Sequence, residues 1–386
     1  MNKKKLAHSG IQSSITSVLA ALLCILIGLV VGFLVLLVIN PGHAWGDGLV
    51  RILKGGFYDA PYGVGKTLAN AAPLIMTGLS VGFAFKTGLF NIGAAGQYTL
   101  GAYGALYCAI MLKLPWFVCL LVATLFGGIW GAIPGFFKAY LNINEVITSI
   151  MFNWIGLYLV NELIYQNGTG PMYDVRNTRT FNLRKNPDYA QSIIPDFGLN
   201  KMFQTNSTTI AIFLAVVVAI VVWVILEKTT FGYELKAVGL NKNAAKYAGI
   251  NEKKNIVLSM AIAGALAGFG AGLYYLSSVS EWNPLNSTSL PAIGFNGIPV
   301  ALLASSNPIG TVFSALFISH ISVGGSFLST KYYPTEISDL ISGIIIYLCA
   351  FSMLFRGKIH ALLFKNADKT NVNAEPASAN AKKEGK

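Results

Sequence analysis

The stretch "VLAALLCILIGLVVGFLVLLVIN", from Val18 to Asn40, decides the class of fold. It has no charged residue and is long enough, at about 1.5 Å per helical residue, to cross a hydrocarbon core roughly 30 Å thick. The apolar region of a signal peptide covers only roughly 7–15 residues. The stretch is therefore predicted to be a membrane-spanning helix that stays in the protein.

The composition extends this prediction to the whole chain. Hydrophobic residues make up 54% of the 386 residues and charged residues 11%, against about 25% charged in a soluble domain. The sequence predicts an all-α, polytopic membrane protein with about ten transmembrane helices. Pro299, Pro308 and Gly310 interrupt the eighth and ninth of them. After 18–40, the predicted spans are the apolar runs at about 67–85, 94–112, 115–137, 146–164, 208–226, 255–276, 294–306, 309–328 and 337–355.

The net charge of +12 indicates orientation rather than a nucleic-acid partner. Basic residues gather in cytoplasmic loops, and the chain lacks the interleaved aromatic and basic residues that favour nucleic acid. With a cytoplasmic N-terminus, ten spans place residues 227–254, which we call the lysine-rich segment, in the cytoplasm. The polar tail is predicted to be disordered. The expected organisation is a cytoplasmic N-terminus (1–17), a transmembrane domain (18–355) with an outer loop at about 165–207, and a cytoplasmic tail (356–386).

Two ladders of glycines four residues apart indicate closely packed helices. Such spacing lets helix backbones approach where lipid gives no hydrophobic drive to association. We expect a compact bundle of helices. The ladders are Gly127, Gly131 and Gly135, and Gly264, Gly268 and Gly272.

One stretch, "APYGVGKT" from Ala60 to Thr67, is one glycine short of a phosphate-binding loop. That motif needs a buried strand before it and a helix whose free N–H groups hold phosphate. Here it lies between two predicted membrane spans on the outer side, so it is interpreted as a chance match. Lys66 is expected to anchor a helix end at the interface.

Polar residues at membrane depth mark a first functional stretch, "FKTGLFNIGAAGQYTLGAYG", from Phe85 to Gly104. Amides there are costly unless they face protein, water or a ligand. Two readings stay open: a solute path, or a tight turn whose amides hold helix ends. The candidates for the path of a neutral polar solute are Asn70, Asn91, Gln97, Asn153, Trp154 and Asn296.

The lysine-rich segment, "EKTTFGYELKAVGLNKNAAKYAGINEKKN" through Asn255, is the second. Asn241 is a good N-cap, "KNAAKYA" a good short helix, and Gly249 suits the C′ position. A helix of this length is unstable alone in water, so it needs a docking partner. A solvated basic loop that only orients the protein would explain the lysines but not the cap. The residues that suit a surface knob for a partner's groove are Ala244, Ala245, Lys246, Tyr247 and Ala248.

Both stretches carry a resemblance. "GLFNIGAAGQ" and "GYELKAVGLNKNAAKYAGI" resemble the two signatures of permease subunits of ABC importers for simple sugars and nucleosides. The similarity covers about residues 15–360, and "AAPLIMTGLSVGFAFKTGLFNIGAAGQY" is most similar to the nucleoside-transporting branch. The resemblance implies a type II importer-like bundle in a bacterial cell membrane, surrounded by lipid, with both termini cytoplasmic.

The resemblance also implies partners. A separate ATPase subunit would bind ATP and Mg²⁺, so this chain is expected to bind no cofactor and to be no enzyme itself. A coupling helix within Gly239–Ile250 would sit in a groove of that ATPase and drive a rigid-body change of access. The residues implied in coupling are Gly239, Asn241, Ala244, Ala245, Lys246, Tyr247 and Gly249.

Two further partners follow from the same resemblance: a second permease and an external solute-binding protein. The outer loop is a candidate docking site for the binding protein, although it also fits an extracellular loop that has no docking role. Ala95 departs from the family, whose members often have glutamate there, which implies dependence on a non-identical second permease. The basic residues of the proposed dock are Arg176, Arg179, Arg184 and Lys185.

A secondary transporter is the alternative. It would carry carboxylates deep in its spans, whereas here Glu162 and Asp339 come closest to the membrane interior. His320 is the only histidine within a predicted span and is expected to be packed rather than to relay protons.

The four cysteines sit in apolar runs, which favours packing over disulfides or metal ligation. They are Cys24, Cys108, Cys119 and Cys349. Without clustered catalytic side chains a membrane enzyme is disfavoured.

Overall fold

The structure is a computed structural model that describes residues 3–284, 289–328, 331–334 and single positions between 337 and 355. The predicted tail, 356–386, and most of the predicted last span, 337–355, lie outside the described residues. The organisation into these segments therefore stays a prediction at the C-terminal end.

The described part of the chain is a helical bundle with one two-stranded hairpin. Single turns of 3₁₀- or π-helix join several elements. In chain order the elements are α1 (Lys3–Ile39), α2 (Val50–Lys54), α3 (Tyr62–Lys86), α4 (Ala94–Ile110), α5 (Trp116–Leu141), α6 (Glu145–Tyr165), β1 (Tyr173–Asp174), β2 (Arg179–Thr180), α7 (Leu199–Phe203), α8 (Ala211–Lys228), α9 (Thr230–Leu240), α10 (Lys242–Tyr247), α11 (Glu252–Leu276), α12 (Ala292–Leu303) and α13 (Pro308–Ser326).

Seven of the described helices are long and apolar enough to cross a membrane: α1, α3, α5, α6, α8, α11 and α13. The all-α, polytopic fold class is thereby confirmed, whereas the count of about ten spans stays a prediction. α4 has 17 residues. α12 has 12 residues, so it is roughly 18 Å long and too short to cross the hydrocarbon core alone.

The glycine ladders pack α5 against α11, a pairing that was not predicted from the sequence. A Cβ atom added at Gly131 would lie 2.5 Å from the Met260 carbonyl oxygen and 2.9 Å from the Gly264 Cα atom. One added at Gly127 would lie 2.7 Å from the Gly268 Cα atom. The two backbones therefore touch without intervening side chains, which only glycine permits.

Two helices begin beside the middle of α3 rather than beyond its ends. After α3 the chain folds back, so that the Asn91 amide donates to the Ser80 hydroxyl at 2.9 Å, and α4 starts from there. α12 also starts at this level, because Gly294 packs on Ala95 and Gly297 packs on Thr77. The N-termini of α4 and α12 thus meet inside the bundle.

The predicted outer loop is an ordered cap over one end of the bundle, which we call the hairpin end (residues 166–210). β1 and β2 pair antiparallel, and the Thr180 N–H donates to the Trp282 carbonyl at 2.8 Å. The Trp282 indole in turn donates to Asn161 Oδ1 at 2.9 Å. Apolar side chains of the cap, including Leu183 and Ile194, are buried in the main core.

The phosphate-loop match is part of a helix. Lys66 and Thr67 lie in the second turn of α3, which follows a 3₁₀ turn at Gly55–Phe57 instead of a strand. A Cβ atom at Gly65 would lie 2.5 Å from the Phe203 Cβ atom. The backbone there is covered by the cap and has no room for a phosphate group, which agrees with a chance match.

Candidate functional site

The lysine-rich segment contains the end of α8, the whole of α9 and α10, and the first turn of α11. The Asn241 side chain accepts hydrogen bonds from the Asn243 and Ala244 N–H groups, both at 3.0 Å. Gly249 follows the end of α10 with φ of +84°, the left-handed conformation in which glycine commonly ends helices. The predicted cap, helix and terminal glycine are all confirmed.

The docking of α10 differs from the prediction at Ala245. Ala245 is only 3% exposed and belongs to an apolar cluster with Ala84, Leu89, Val238 and Met260. Ala245 therefore anchors α10 to this chain and is not available to a partner, contrary to the knob prediction. The reason is a tertiary contact: Ala245 packs where α3 ends and α11 begins.

The opposite side of α10 is open. Tyr247 is 94% exposed and Leu240, directly before the cap, is 89% exposed. Ala244 and Lys246 are exposed beside them. Large apolar side chains this accessible in a polar segment form a surface that a partner can cover. Leu240 was missed from the sequence, although a leucine directly before a capping asparagine is the signal that could have found it.

Gly239 is also placed differently from the prediction. It is half-buried and its backbone touches the turn after α3: a Cβ atom added at Gly239 would lie 2.5 Å from the Thr87 carbonyl carbon. One added at Gly88 would lie 2.5 Å from the Gly239 Cα atom. Gly239 therefore contacts the chain's own core rather than a partner's groove.

The amide cluster, Asn91, Gln97 and Asn153, lies on the far side of that turn. Asn91 Nδ2 donates to Gln97 Oε1 at 2.8 Å, and Gln97 Nε2 donates to Asn91 Oδ1 at 2.9 Å. Asn153 accepts from the Gly96 N–H at 2.8 Å and donates to the Ile92 carbonyl at 3.0 Å. Each amide is therefore paired on both its donor and its acceptor side.

Burial decides between the two readings of the amide cluster for this conformation. All three amides are buried, and none is open to a solute. The geometry is that of a turn whose side chains hold the start of α4, one of the two alternatives left open by the sequence. Ala95 is also buried and meets Gly294 on α12, so a methyl group lies where many relatives are expected to place a carboxylate.

The other three candidates for a solute path are more accessible. Asn70 on α3 and Asn296 on α12 are half-buried, on two helices that pack together. Trp154 stacks on Tyr158, with ring centroids 6.0 Å apart, on a face of α6 where both rings are exposed. That face points away from the bundle interior, so Trp154 does not line the same path as Asn70 and Asn296.

His320 is a packed residue in the structure. Its Nδ1 atom accepts from the Gly56 N–H at 3.3 Å, and its Nε2 atom lies 3.2 Å from the Leu53 carbonyl oxygen. Two backbone partners fix the ring, as expected for a structural histidine. Glu162 is exposed near the end of α6, and Asp339 lies outside the described residues.

The basic residues of the hairpin end differ in their surroundings. Arg179 pairs with Glu281 at 3.3 Å, whereas Arg176 and Lys185 are exposed. Burial lowers the pKa of the Arg184 guanidinium below its usual range. Near them, the side-chain hydrogen bond from Asn177 lowers the pKa of Asp174. A polar cavity of about 180 Å³ is lined by Asp174, Lys185 and the Arg179–Glu281 pair, but not by Arg176 or Arg184.

A polytopic bundle with a capped, outward-facing helix in its basic segment, rather than a cluster of catalytic side chains, is typical of a membrane transporter. The family model "Branched-chain amino acid transport system / permease component" matches residues 63–350. The chain belongs to this permease family. It is thus a multi-pass membrane protein and a permease component of the ABC transporter class, not a secondary transporter.

Individual relatives agree with the family. The chain is 33% identical to the guanosine ABC transporter permease protein NupP of Bacillus subtilis, over 87% of this chain and 94% of the relative. It is 32% identical to the nucleoside ABC transporter permease protein NupB of Lactococcus lactis, over 90% and 94%. It is 30% identical to the glucose ABC transporter permease protein TsgB13 of Haloferax volcanii, over 84% of each chain. No solved structure matches.

Proposed function

We propose that this chain is the permease subunit of an ATP-driven importer of nucleosides. Two relatives of nearly full length are named for guanosine or nucleosides, and one of lower identity is named for glucose. A nucleoside is a neutral polar solute, in keeping with a bundle whose buried polar groups are mostly amides and hydroxyls. A simple sugar is the second candidate.

The observation that carries the proposal is the exposed side of α10. The helix is capped and anchored by its own chain, yet Tyr247 at its end and Leu240, the last residue of α9, are almost entirely exposed to solvent. Lys242 and Lys246 flank these side chains. An apolar centre with a basic rim suits a partner groove that is apolar inside and acidic at its edge. We assign this surface to a separate ATPase subunit, which would bind ATP and Mg²⁺.

The orientation follows from this assignment. α10 lies in the cytoplasm, where ATP is available, and the hairpin end lies outside the cell membrane. The hairpin end then faces an external solute-binding protein, for which Arg176 and Lys185 offer exposed positive charge. Ala95, at a position where relatives often have glutamate, supports a second permease that is not a copy of this chain.

For solute contact within this chain we retain Asn70 and Asn296. Their amides are half-buried, and the structure gives them no hydrogen bond to another described residue. Replacing either with Ala is expected to raise the KM for nucleoside uptake while the amount of folded protein stays unchanged. If uptake kinetics do not change, the residue does not contact the solute.

The test of the proposed function is purification from the native membrane in a mild detergent. We expect an ATPase subunit to co-purify, and its hydrolysis of ATP to rise when a solute-loaded binding protein is added. The double variant Leu240→Ala/Tyr247→Ala is expected to insert normally and lose the ATPase. Phe197→Ala is the matched control, because Phe197 is 81% exposed but lies at the hairpin end.

Two outcomes would contradict the proposal. A wild-type chain that purifies without any ATPase, even after crosslinking through Ala244→Cys, would remove the importer assignment. Equal loss of ATPase in the double variant and in Phe197→Ala would remove the assignment of the α10 surface. The substrate class is tested separately, by competition of labelled guanosine uptake with unlabelled nucleosides and with glucose.

A further inference from the structure

At Gly88 and Gly239 the lysine-rich segment meets the turn after α3 through backbone atoms. Gly88 has φ of +75°, a conformation that side chains rarely adopt. The two glycine backbones are too close for any Cβ atom between them: one added at Gly88 would lie 2.5 Å from the Gly239 Cα atom, and one added at Gly239 would lie 2.7 Å from the Gly88 nitrogen. Because no side chain lies between the two backbones, a displacement of one cannot be taken up by a change of side-chain rotamer.

Both sides of this contact are held firmly. On one side Gly239 is followed at once by Leu240 and by the cap of α10, so it lies directly beside the surface assigned to the ATPase. On the other side the Thr87 hydroxyl is hydrogen-bonded to the Ser259 hydroxyl on α11 and donates to the Ala84 carbonyl at 2.9 Å. The contact therefore ties α9, α3 and α11 together.

The turn continues directly into the amide cluster. Asn91 follows Gly88 by three residues, and its side-chain amide forms two reciprocal hydrogen bonds with the amide of Gln97. The Gly96 N–H binds Asn153 on α6, and Ala95 packs on Gly294 of α12. Residues 88–97 therefore form one rigid unit that touches α6 and α12, the latter also carrying Asn296.

We propose that the Gly88–Gly239 contact transmits movement of α10 to residues 88–97, so that these two glycines are positioning residues for coupling ATP hydrolysis to transport. The inference rests on the proposed function and adds to it a route from the ATPase surface to the amide cluster. Networks of packed residues with such a role change coupling by roughly 2- to 30-fold when they are mutated.

The first test uses Gly239→Ala in the complete complex, reconstituted with ATPase, binding protein and guanosine. The added methyl group separates the two backbones, so the number of ATP molecules hydrolysed per guanosine imported is expected to rise roughly 2- to 30-fold. ATPase co-purification is expected to persist, whereas the melting temperature is expected to fall, because the added methyl group meets backbone atoms that must shift. Gly82→Ala is the matched control, because a methyl group on that helical glycine would lie 3.6 Å from its nearest neighbour.

Gly88→Ala tests the other side of the contact. Its control is Gly198→Ala, which has φ of +87° but nothing within 4 Å of the added atom. Both variants place alanine at a similar positive φ. A rise in the number of ATP molecules hydrolysed per guanosine imported that occurs only in Gly88→Ala therefore supports the proposal. A fall in hydrolysis and import together, with an unchanged ratio, would show a merely structural role and overturn it.

A measurement on the wild-type complex avoids variants that do not fold. Hydrogen exchange of the backbone amides in residues 88–97 is expected to change when ATP binds the ATPase. If ATP drives import but leaves exchange in 88–97 unchanged, the transmission route is overturned while the proposed function stands. If no ATP-driven import occurs in the wild type, the proposed function itself fails, and this inference with it.

Discussion

The α10 surface and the amide cluster lie on either side of the Gly88–Gly239 contact, yet their polar and apolar groups are arranged in opposite ways. In the amide cluster Asn91 and Gln97 are buried and bonded to each other. By contrast, the large side chains of Leu240, at the end of α9, and Tyr247, at the end of α10, reach into solvent. The first region contributes to the stability of this chain, whereas the second gains its interactions only from a partner. Variants in the two regions should therefore separate stability from coupling.

The largest effect on stability is expected from Asn91→Ala. It leaves both polar atoms of the Gln97 amide without their partner, and each unsatisfied buried group costs about 1–3 kcal/mol. The free energy of unfolding should fall by about 3 kcal/mol, measured by denaturant or thermal unfolding in detergent. Asn241→Ala, which removes only an exposed cap, should cost about 1 kcal/mol. Equal stability of Asn91→Ala and the wild type would contradict the burial argument.

The pair Ala245→Leu and Ala244→Leu sharpens the comparison within one helix. Ala245 is packed inward, so a larger side chain there should destabilise the docking of α10 by about 1–3 kcal/mol. Ala244 is exposed, so Ala244→Leu should leave unfolding unchanged and weaken only ATPase binding. Proteolysis of the lysine-rich segment measures docking, and co-purification measures ATPase binding. If both variants changed proteolysis and ATPase binding to the same extent, Ala244 and Ala245 would not lie on opposite sides of α10, and the docking of α10 through Ala245 would be contradicted.

Gly249→Val tests the end of the same helix. A left-handed conformation costs a residue with a Cβ atom about 1–2 kcal/mol, so ATPase binding should weaken roughly tenfold while membrane insertion stays normal. Gly249→Asn should be milder, since asparagine tolerates this conformation. Gly198→Val, with similar φ at the hairpin end, should leave ATPase binding unchanged. Normal ATPase stimulation in Gly249→Val would remove α10 from the coupling mechanism.

The smallest effect is expected from Lys246→Ala. An exposed charge at the rim of an interface contributes less than about 1 kcal/mol and acts mainly on the association rate. The variant should therefore bind the ATPase slightly more slowly at low salt and like the wild type at high salt. Association rates at two salt concentrations measure this. A salt-independent loss of binding would place Lys246 in the buried centre of the interface.

The two regions also differ in how far the sequence predicts them. The cap at Asn241 and the end at Gly249 depend on residues within one short helix, so both were predicted. That Ala245 points inward while Ala244 points outward depends on where α3 ends and α11 begins, and residues 245 and 84 are far apart in sequence. For the same reason Gly239 was assigned to a partner although it touches Gly88.

The amide cluster and α12 show the same limit. The sequence placed Asn91 and Gln97 at membrane depth but left open whether the amides bind each other or a solute, because the answer depends on how the chain turns back along α3. The apolar run at 294–306 continues past the end of α12 at Leu303. Beyond it, Asn307 Oδ1 caps α13 by accepting hydrogen bonds from the Ile309 and Gly310 N–H groups at 3.0 and 3.1 Å. A short helix inside the bundle looks like a span when only hydropathy is considered.

The most direct test of the central claim is guanosine uptake into proteoliposomes that contain the purified complex, with binding protein on one side and ATP on the other. The account predicts uptake that requires hydrolysable ATP on the side of α10 and persists when ionophores collapse all ion gradients. Uptake driven by an ion gradient without ATP would contradict it.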